Sequence, residues 1–191
     1  MDPVTLRTDR LVLSVPEPAD AADVVAYAND PDVIASTPVP VPYGRAEARQ
    51  WITEVVRTGW ATDTRYDFGI RRTDDRRLLG TVGLFGFDHG AAEIGYAVHP
   101  DGRGHGFTTE AARAVLDWAF APGPRGLDLV RVQWRAIATN TASAAVAQRL
   151  GIRFEGRLRS GVHHRGRRHD QLLAAVLRDD DRSAPTVWPV A

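Results

Sequence analysis

The sequence contains no cysteine, and no lysine appears anywhere in it. Without cysteine there is no disulfide framework, no thiolate nucleophile and no zinc site built on thiolates. All 24 basic residues are therefore arginines, and they balance 24 acidic residues, so the formal net charge is zero. A neutral chain gives no global electrostatic reason to expect nucleic-acid binding.

Long apolar runs are also missing. Nowhere do about 18 apolar residues follow one another, as a membrane-spanning helix would require, and residues 1–15 show no apolar stretch behind a basic start. We therefore expect a soluble, cytoplasmic protein that contacts no membrane. The chain of 191 residues is long enough to bury a core as one domain, which we assign to residues 1–178, followed by a loosely ordered tail over residues 179–191.

Apolar periodicity divides the domain into strands and helices. Helical spacing predicts a helix after Pro18 and another from Arg45 to Arg57. The proline-rich segment between them is predicted to be a stiff, non-helical loop. Alternating apolar residues predict an antiparallel meander from Tyr66 to His99, and further strands and helices follow it. No linker interrupts the pattern, so strands and helices should share one mixed layer.

A glycine-rich kink joins the meander to the next predicted helix. Gly102, Gly104 and Gly106 alternate with other residues, and a helix beginning near Phe107 points its positive end at them. Backbone amides in such a kink suit a phosphate group. A Walker loop is excluded because it needs lysine, and the dinucleotide fingerprint lacks its third glycine. On spacing alone, a plain strand-to-helix turn is the alternative.

Residues 103–108, RGHGFT, resemble the pyrophosphate-binding loop of the GCN5-related N-acetyltransferase (GNAT) superfamily. Further segments, spread over residues 6–177, are similar to the branch that acetylates the N-termini of ribosomal proteins. Two positions depart from the pattern: Thr108 stands where glycine or alanine is usual, and Ile152 where phenylalanine is usual. The resemblance implies an α/β (α+β) GNAT fold, with a mixed, mostly antiparallel sheet of about seven strands and about four helices.

The resemblance implies direct acetyl transfer from acetyl-CoA to a primary amine, with no metal and no covalent enzyme intermediate. It implies that the amides of Ala97 and Val98 lie beside the thioester and that Arg103 adds charge to the pyrophosphate loop. It further implies that Asn140 bonds the pantetheine arm and that Ser143 protonates the leaving thiolate. Read from the residues alone, Asn140 is an ordinary N-cap and Ser143 a first-turn residue. The implied coenzyme A ligands are Ala97, Val98, Arg103, Gly104, His105, Gly106, Phe107, Thr108, Asn140 and Ser143.

The base and the acceptor are less defined. Glu93 is similar in position to the strand glutamate that acts as the base in histone-type members, but a solvated glutamate with water as the base explains it equally well. The acceptor amine is a protein N-terminus, as the branch suggests, or belongs to a small molecule. Candidate pocket residues, each with a core or ion-pair alternative, are Tyr43, Trp51, Tyr96 and Asp170.

Several alternatives stay open. The donor could be another acyl-CoA or an acyl carrier protein, and the chain could also be a non-catalytic acyl-CoA sensor. The sequence does not distinguish a monomer from a homodimer. The basic run HHRGRRH, residues 163–169, is predicted to be a solvated turn rather than a metal or RNA contact.

Overall fold

The computed structural model describes residues 1–189. Within them the chain forms eight strands: β1 (Leu6–Arg7), β2 (Leu11–Ser14), β3 (Arg65–Arg72), β4 (Gly80–Asp88), β5 (Ala91–Val98), β6 (Arg131–Ile137), β7 (Arg153–His164) and β8 (Arg167–Leu177). They make one sheet in the order β1-β2-β3-β4-β5-β6-β8-β7, in which only β5 and β6 pair in parallel. This sheet confirms the predicted α/β (α+β) fold, and the strand beyond the predicted seven is the two-residue β1.

Six α helices accompany the strands in the described part of the chain: α1 (Ala21–Ala28), α2 (Pro31–Ser36), α3 (Arg45–Gln50), α4 (Arg57–Thr62), α5 (Phe107–Phe120) and α6 (Thr141–Arg149). A π-helical turn, Trp51–Val56, joins α3 to α4, so residues 45–62 form one continuous helical segment. None of the helices within residues 1–189 combines the length and the apolar character needed to cross a lipid bilayer.

The second helix, α2, lies in the proline-rich segment that was predicted to be non-helical, and that prediction is wrong. Pro31 occupies the first helical position, where the missing amide hydrogen costs nothing and the fixed φ favours the helix. The Asp30 side chain accepts hydrogen bonds from the amides of Asp32 and Val33, which caps the helix. A proline at the start of a helix and a capping aspartate therefore outweigh the high proline content of the segment.

The two faces of the sheet are packed by different helices. α5 crosses one face, where Trp60, Phe68 and Leu116 are among the fully buried side chains. α1 and α3 cover part of the other face, where Ile52 packs with Leu78. Full burial of a side chain of this size stabilises the fold by about 1.5–3 kcal/mol. The sheet is thus held rigidly on both sides of its middle strands.

Between β5 and β6 the sheet opens. The two strands pair only over residues 91–93 and 131–133, and beyond Glu93 and Gln133 they continue without pairing. We call the opening between residues 94–98 and 134–137 the strand gap. Backbone groups along its edges lack the sheet partners that they would have in a closed ladder, so they are available to a ligand.

The chain after β8 packs back onto the body through Trp188. This side chain is 6% exposed, its Nε1 donates to the Ile152 carbonyl at 3.0 Å, and its ring lies 5.3 Å from that of Trp134. The packing differs from the loose tail expected over residues 179–191, because a tryptophan that reaches the core gains a large burial energy. Positions 190 and 191 of that tail lie outside the described residues, and the domain limit at residue 178 stays a prediction.

Candidate active site

A cleft of about 800 Å³ begins in the strand gap and extends across the N-terminal end of α5. Its walls are the end of β5, the turn that follows β5, the first residues of α5 and α6, and one side of α2. Clefts of this volume accommodate ligands of cofactor size. Most of the implied coenzyme A ligands line it, namely Ala97, Val98, Arg103, Gly104, Gly106, Phe107, Thr108, Asn140 and Ser143.

The turn from residue 99 to 106, here called the glycine turn, presents backbone amides to the cleft. Gly104 and Gly106 both have φ of 78°, in the left-handed region that glycine enters without strain. The His99 ring accepts the amide of Asp101 at 3.1 Å and fixes the start of the turn. The amides of residues 104–109 donate to no acceptor within residues 1–189. With the positive end of α5 behind them, these amides form a site suited to a phosphate.

His105 takes little part in this site. Its carbonyl accepts a hydrogen bond from Arg10 at 3.1 Å, and its ring stacks on Phe107 with 5.3 Å between centroids. The side chain does not line the cleft. Among the implied ligands, His105 can therefore contribute only its amide.

The side chain of Arg103 is engaged elsewhere. Its guanidinium donates to Asp30 at 2.5 Å and to Asp32 at 2.8 Å, both at the start of α2. Burial raises the pKa of Asp30, but hydrogen bonds from Arg103 and from two amides outweigh burial and hold that pKa below its ordinary value. The charge of Arg103 is thus neutralised by α2, and its main contribution is to fasten α2 to the glycine turn.

Arg149, at the end of α6, is a cation of the cleft that the sequence analysis missed. It lines the cleft, and no carboxylate within residues 1–189 forms an ion pair with it. No sequence motif pointed to it, because only the fold brings the last turn of α6 beside the first turn of α5. A cation that no carboxylate neutralises is available to an anionic ligand.

Asn140 and Ser143 are held together at the start of α6. The Asn140 side chain accepts the amide of Ser143 at 3.1 Å, so it is the N-cap of the helix. This bond leaves the Asn140 amide nitrogen free to donate. Both residues line the cleft, so the structural and the ligand-binding interpretation of Asn140 are compatible.

Two aromatic residues fix Ser143 from behind. Trp134 donates its Nε1 hydrogen to the Ser143 hydroxyl oxygen at 3.1 Å, and Tyr96 donates its hydroxyl to the Ser143 carbonyl at 2.9 Å. An indole nitrogen only donates, so the Ser143 hydroxyl keeps its own hydrogen for another acceptor. Burial raises the pKa of Tyr96, which keeps its hydroxyl protonated. Tyr96 lines the cleft, and its role in a substrate pocket stays a prediction. Trp134 was overlooked because a tryptophan inside a strand resembles an ordinary core residue.

Glu93 lies at the closed end of the strand gap. One carboxylate oxygen, Oε2, accepts both the Nε and an Nη hydrogen of Arg135, whereas Oε1 has no hydrogen-bond partner within residues 1–189. Glu93 does not line the cleft. It stands four residues before Ala97, about 13 Å along an extended strand. At that distance Glu93 is too far for direct proton transfer to a group beside Ala97.

The remaining pocket candidates lie outside the cleft. Tyr43 is buried at 8% exposure beneath α1 and α3. Trp51 packs against the core. Asp170 accepts Arg157 Nε at 2.9 Å and the Ser160 amide at 2.8 Å. Tyr43 and Trp51 are thus in core surroundings and Asp170 is in an ion pair, which are the alternatives given for them in the sequence analysis.

No cluster of three or more potential metal ligands occurs in the part of the chain that the structure describes. The groups that face the cleft include backbone amides, hydroxyls, the Asn140 carboxamide and the Arg149 guanidinium. They suit an organic ligand with phosphate and amide groups.

Residues 10–153 match a protein family described as "Acetyltransferase (GNAT) domain". YjcK of Bacillus subtilis (strain 168), a probable N-acetyltransferase, is 37% identical over 122 residues, which cover 62% of this chain and only 65% of YjcK. The uncharacterised N-acetyltransferase p20 of Bacillus licheniformis is 30% identical over 179 residues, which cover 91% of this chain and 96% of p20.

Solved structures agree with this match. The crystal structure of a probable acetyltransferase has a TM-score of 0.78 and 26% identity, and the alignment covers 91% of this chain and 97% of that one. RimL, the ribosomal L7/L12 α-N-protein acetyltransferase solved with coenzyme A, has a TM-score of 0.80 at 18% identity over 93% of this chain and all of that one. At 18% identity the likeness to RimL concerns the fold alone. The chain belongs to the GNAT family of acetyltransferases, which confirms the resemblance drawn from residues 103–108.

Proposed function

We propose that this enzyme transfers the acetyl group of acetyl-CoA to a primary amine, and that the acceptor is the α-amine of a protein N-terminus. The cleft carries the proposal, because it joins the free amides of residues 104–109 to the side chains of Asn140 and Ser143 along the strand gap. The bound coenzyme A of RimL, a protein of the same fold, supports the assignment of the donor.

Two parts of the donor can be placed in the cleft. Its diphosphate is held by the glycine-turn amides and by Arg149. Its pantetheine arm runs along β5 as an added strand. The amide of His99 donates to Leu79 at 2.7 Å, on the β4 side. Since amides alternate along an antiparallel strand, Val98 turns its amide to the strand gap and Ala97 turns its amide to β4. The Val98 amide is thus free to bind the pantetheine arm, whereas the Ala97 amide faces β4 within the sheet.

The chemistry needs one bond to form and one to break. The amine nitrogen attacks the thioester carbonyl, the carbon–nitrogen bond forms, the carbon–sulfur bond breaks, and the sulfur leaves with the electron pair. The hydroxyl hydrogen of Ser143, left free by Trp134, is donated to that sulfur. The nitrogen loses its extra proton to water, and water returns a proton to the Ser143 oxygen, so the enzyme ends the cycle unchanged. No enzyme nucleophile is required.

The choice of an α-amine follows from the carboxylates near the cleft. Asp32 is the carboxylate that lines it, and this side chain is paired with Arg103. Glu93 reaches the reacting atoms only through water. An α-amine has a pKa of about 8, against about 10.4 for lysine, so at neutral pH far more of it is already unprotonated. A site without an adjacent base is better matched to an α-amine.

The test is made on the wild-type protein. Titration calorimetry with coenzyme A should show binding, and thiol release from acetyl-CoA should require an amine, fastest with short peptides whose N-terminus is free. Binding without turnover of any amine would indicate a sensor instead. Turnover only with another acyl-CoA, or only with an acyl carrier protein, would replace acetyl-CoA as the donor. Preference for small-molecule amines would refute the choice of acceptor.

A further inference from the structure

The hairpin formed by the end of β7 and the start of β8 carries an unusual charge. Residues 159–169, here called the arginine hairpin, contain four arginines and three histidines but no aspartate or glutamate. The four arginines are Arg159, Arg165, Arg167 and Arg168, and none forms an ion pair with a carboxylate within residues 1–189. In a chain of zero net charge, this is a local concentration of positive charge.

The arginine hairpin lies against the walls of the cleft. At its tip, His164 donates from Nε2 to the Ile34 carbonyl at 3.1 Å, and Arg165 donates to the Val39 carbonyl at 2.6 Å. The residues on either side of Ile34, which are Val33 and Ala35, line the cleft. The hairpin is therefore attached to the back of α2, one residue away from the cleft surface.

The base of the arginine hairpin lies beside the other wall. The Asp170 carbonyl accepts the amide of Ala138 at 2.9 Å, and the next residues, Thr139 and Asn140, line the cleft. A bulge between Leu158 and Val162 interrupts the ladder, and bulges of this kind bend a hairpin. The hairpin thus runs along the cleft from the start of α6 to α2, so its charge lies beside the path of an entering acceptor.

From this placement we infer that the arginine hairpin is a docking surface for an acidic protein segment that follows the acceptor amine. The inference rests on the proposed function and adds to that function the kind of acceptor. Guanidinium groups pair with carboxylates in a bidentate geometry, and unpaired guanidiniums at an entrance attract and orient an anionic partner.

An acidic protein segment fits this surface better than RNA does. Single-stranded RNA is bound mainly by stacking of bases on aromatic side chains, and residues 157–170 contain no phenylalanine, tyrosine or tryptophan. Arg159, Arg167 and Arg168 are exposed along the two extended strands of the arginine hairpin, which suits an extended acidic peptide. The acidic segment must be continuous with the N-terminal amine, because the same molecule has to enter the cleft.

The experiment compares three short peptides with the same small first residue, followed by glutamates, glutamines or arginines. We expect the kcat/KM of the glutamate peptide to exceed that of the glutamine peptide by about tenfold at low ionic strength, and the difference to shrink in high salt. In R159Q/R167Q/R168Q this preference should disappear while the kcat/KM of the glutamine peptide is unchanged. Arg165 is left intact because it fastens α2.

The matched control is R57Q/R76Q/R125Q. This variant removes three exposed arginines elsewhere that also lack a carboxylate partner within residues 1–189, and it should keep the preference for the glutamate peptide.

A second variant guards against a folding defect. R159E/R167E/R168E should invert the preference in favour of the arginine peptide, which a misfolded protein could not do. Fluorescence anisotropy with the labelled glutamate peptide tests the docking surface even if no amine is acetylated, so its failure is separable from that of the proposed function. Three results would each overturn the inference. They are equal kcat/KM for all peptides in the wild type, an unchanged preference in the triple glutamine variant, and tighter binding of an RNA oligonucleotide than of the glutamate peptide.

Discussion

The two ends of the cleft are built in different ways. At the glycine turn, the groups that we propose as ligands are backbone amides of consecutive residues, and their positions follow from two glycines and the start of one helix. At the other end, the wall depends on contacts between distant segments, such as the hydrogen bond from the Arg165 side chain to the Val39 carbonyl, 126 positions away. The first end is determined locally, whereas the second exists only in the folded chain.

The largest expected effect concerns the leaving group. Ser143→Ala removes the hydroxyl that we assign to the leaving sulfur, and should lower kcat by about ten- to a thousandfold while the affinity for coenzyme A is kept. Ser36→Ala is the matched control, since Ser36 also lines the cleft, but its hydroxyl donates to the Asp32 carbonyl at 2.6 Å. Steady-state rates and calorimetry on both variants make the comparison. Equal kcat in the two variants would remove Ser143 from the mechanism.

The second prediction compares two arginines of the cleft. Arg149→Gln should weaken coenzyme A binding by about five- to tenfold, because it removes a cation that no described carboxylate neutralises. Arg103→Gln alone would expose Asp30 and Asp32 to the phosphates. The fair comparison is therefore R103Q/D30N/D32N, which should change the affinity by less than about twofold.

Calorimetric titration of coenzyme A into both proteins checks this pair. The opposite ranking would restore to Arg103 the role in phosphate binding that the family resemblance gives it. Asparagine at position 30 is chosen because it still caps α2.

The third prediction separates backbone strain from ligand binding. Gly104 and Gly166 share φ of 78°, and an added Cβ would meet no atom within 4 Å at either position. Alanine should therefore cost about 1 kcal/mol of stability in both cases. Only Gly104→Ala should also weaken coenzyme A binding, by about fivefold, because the amides of the glycine turn would lose their alignment. Denaturant unfolding and calorimetry give the two readouts, and an equal loss of affinity in Gly166→Ala would contradict the assignment.

The smallest effect is a dependence on pH. The folded-state pKa of Asp30 lies below its ordinary value, so its contribution to stability is present above the ordinary aspartate pKa of about 3.9 and is lost as the pH falls through the lower folded value. In the Asp30→Asn variant, position 30 carries no carboxyl group that could titrate. Unfolding free energies at about pH 5 and pH 3 should fall more in the wild type than in the variant, by less than about 1 kcal/mol. Parallel curves would show that Asp30 contributes nothing.

The same contrast explains what the sequence could predict. The turn at Gly104 and Gly106 and the helix cap at Asn140 could be predicted, because turn and cap residues act through the local backbone. The eight-strand sheet was close to the prediction because alternation and turns are local signals as well. The engagement of Arg103 by α2 and the approach of Arg149 to α5 were beyond prediction, because each depends on where a distant segment packs.

The packing of Trp188 has a practical consequence for anyone handling this protein. Its ring rests on Trp134, and Trp134 holds the hydroxyl oxygen of Ser143. Proteolytic trimming that removes Trp188 would therefore take away the support behind Ser143, the proposed proton donor, although the cut lies far from it along the chain. The Trp134 indole, which is 2% exposed in the intact fold, should also report this loss as a red shift of its fluorescence.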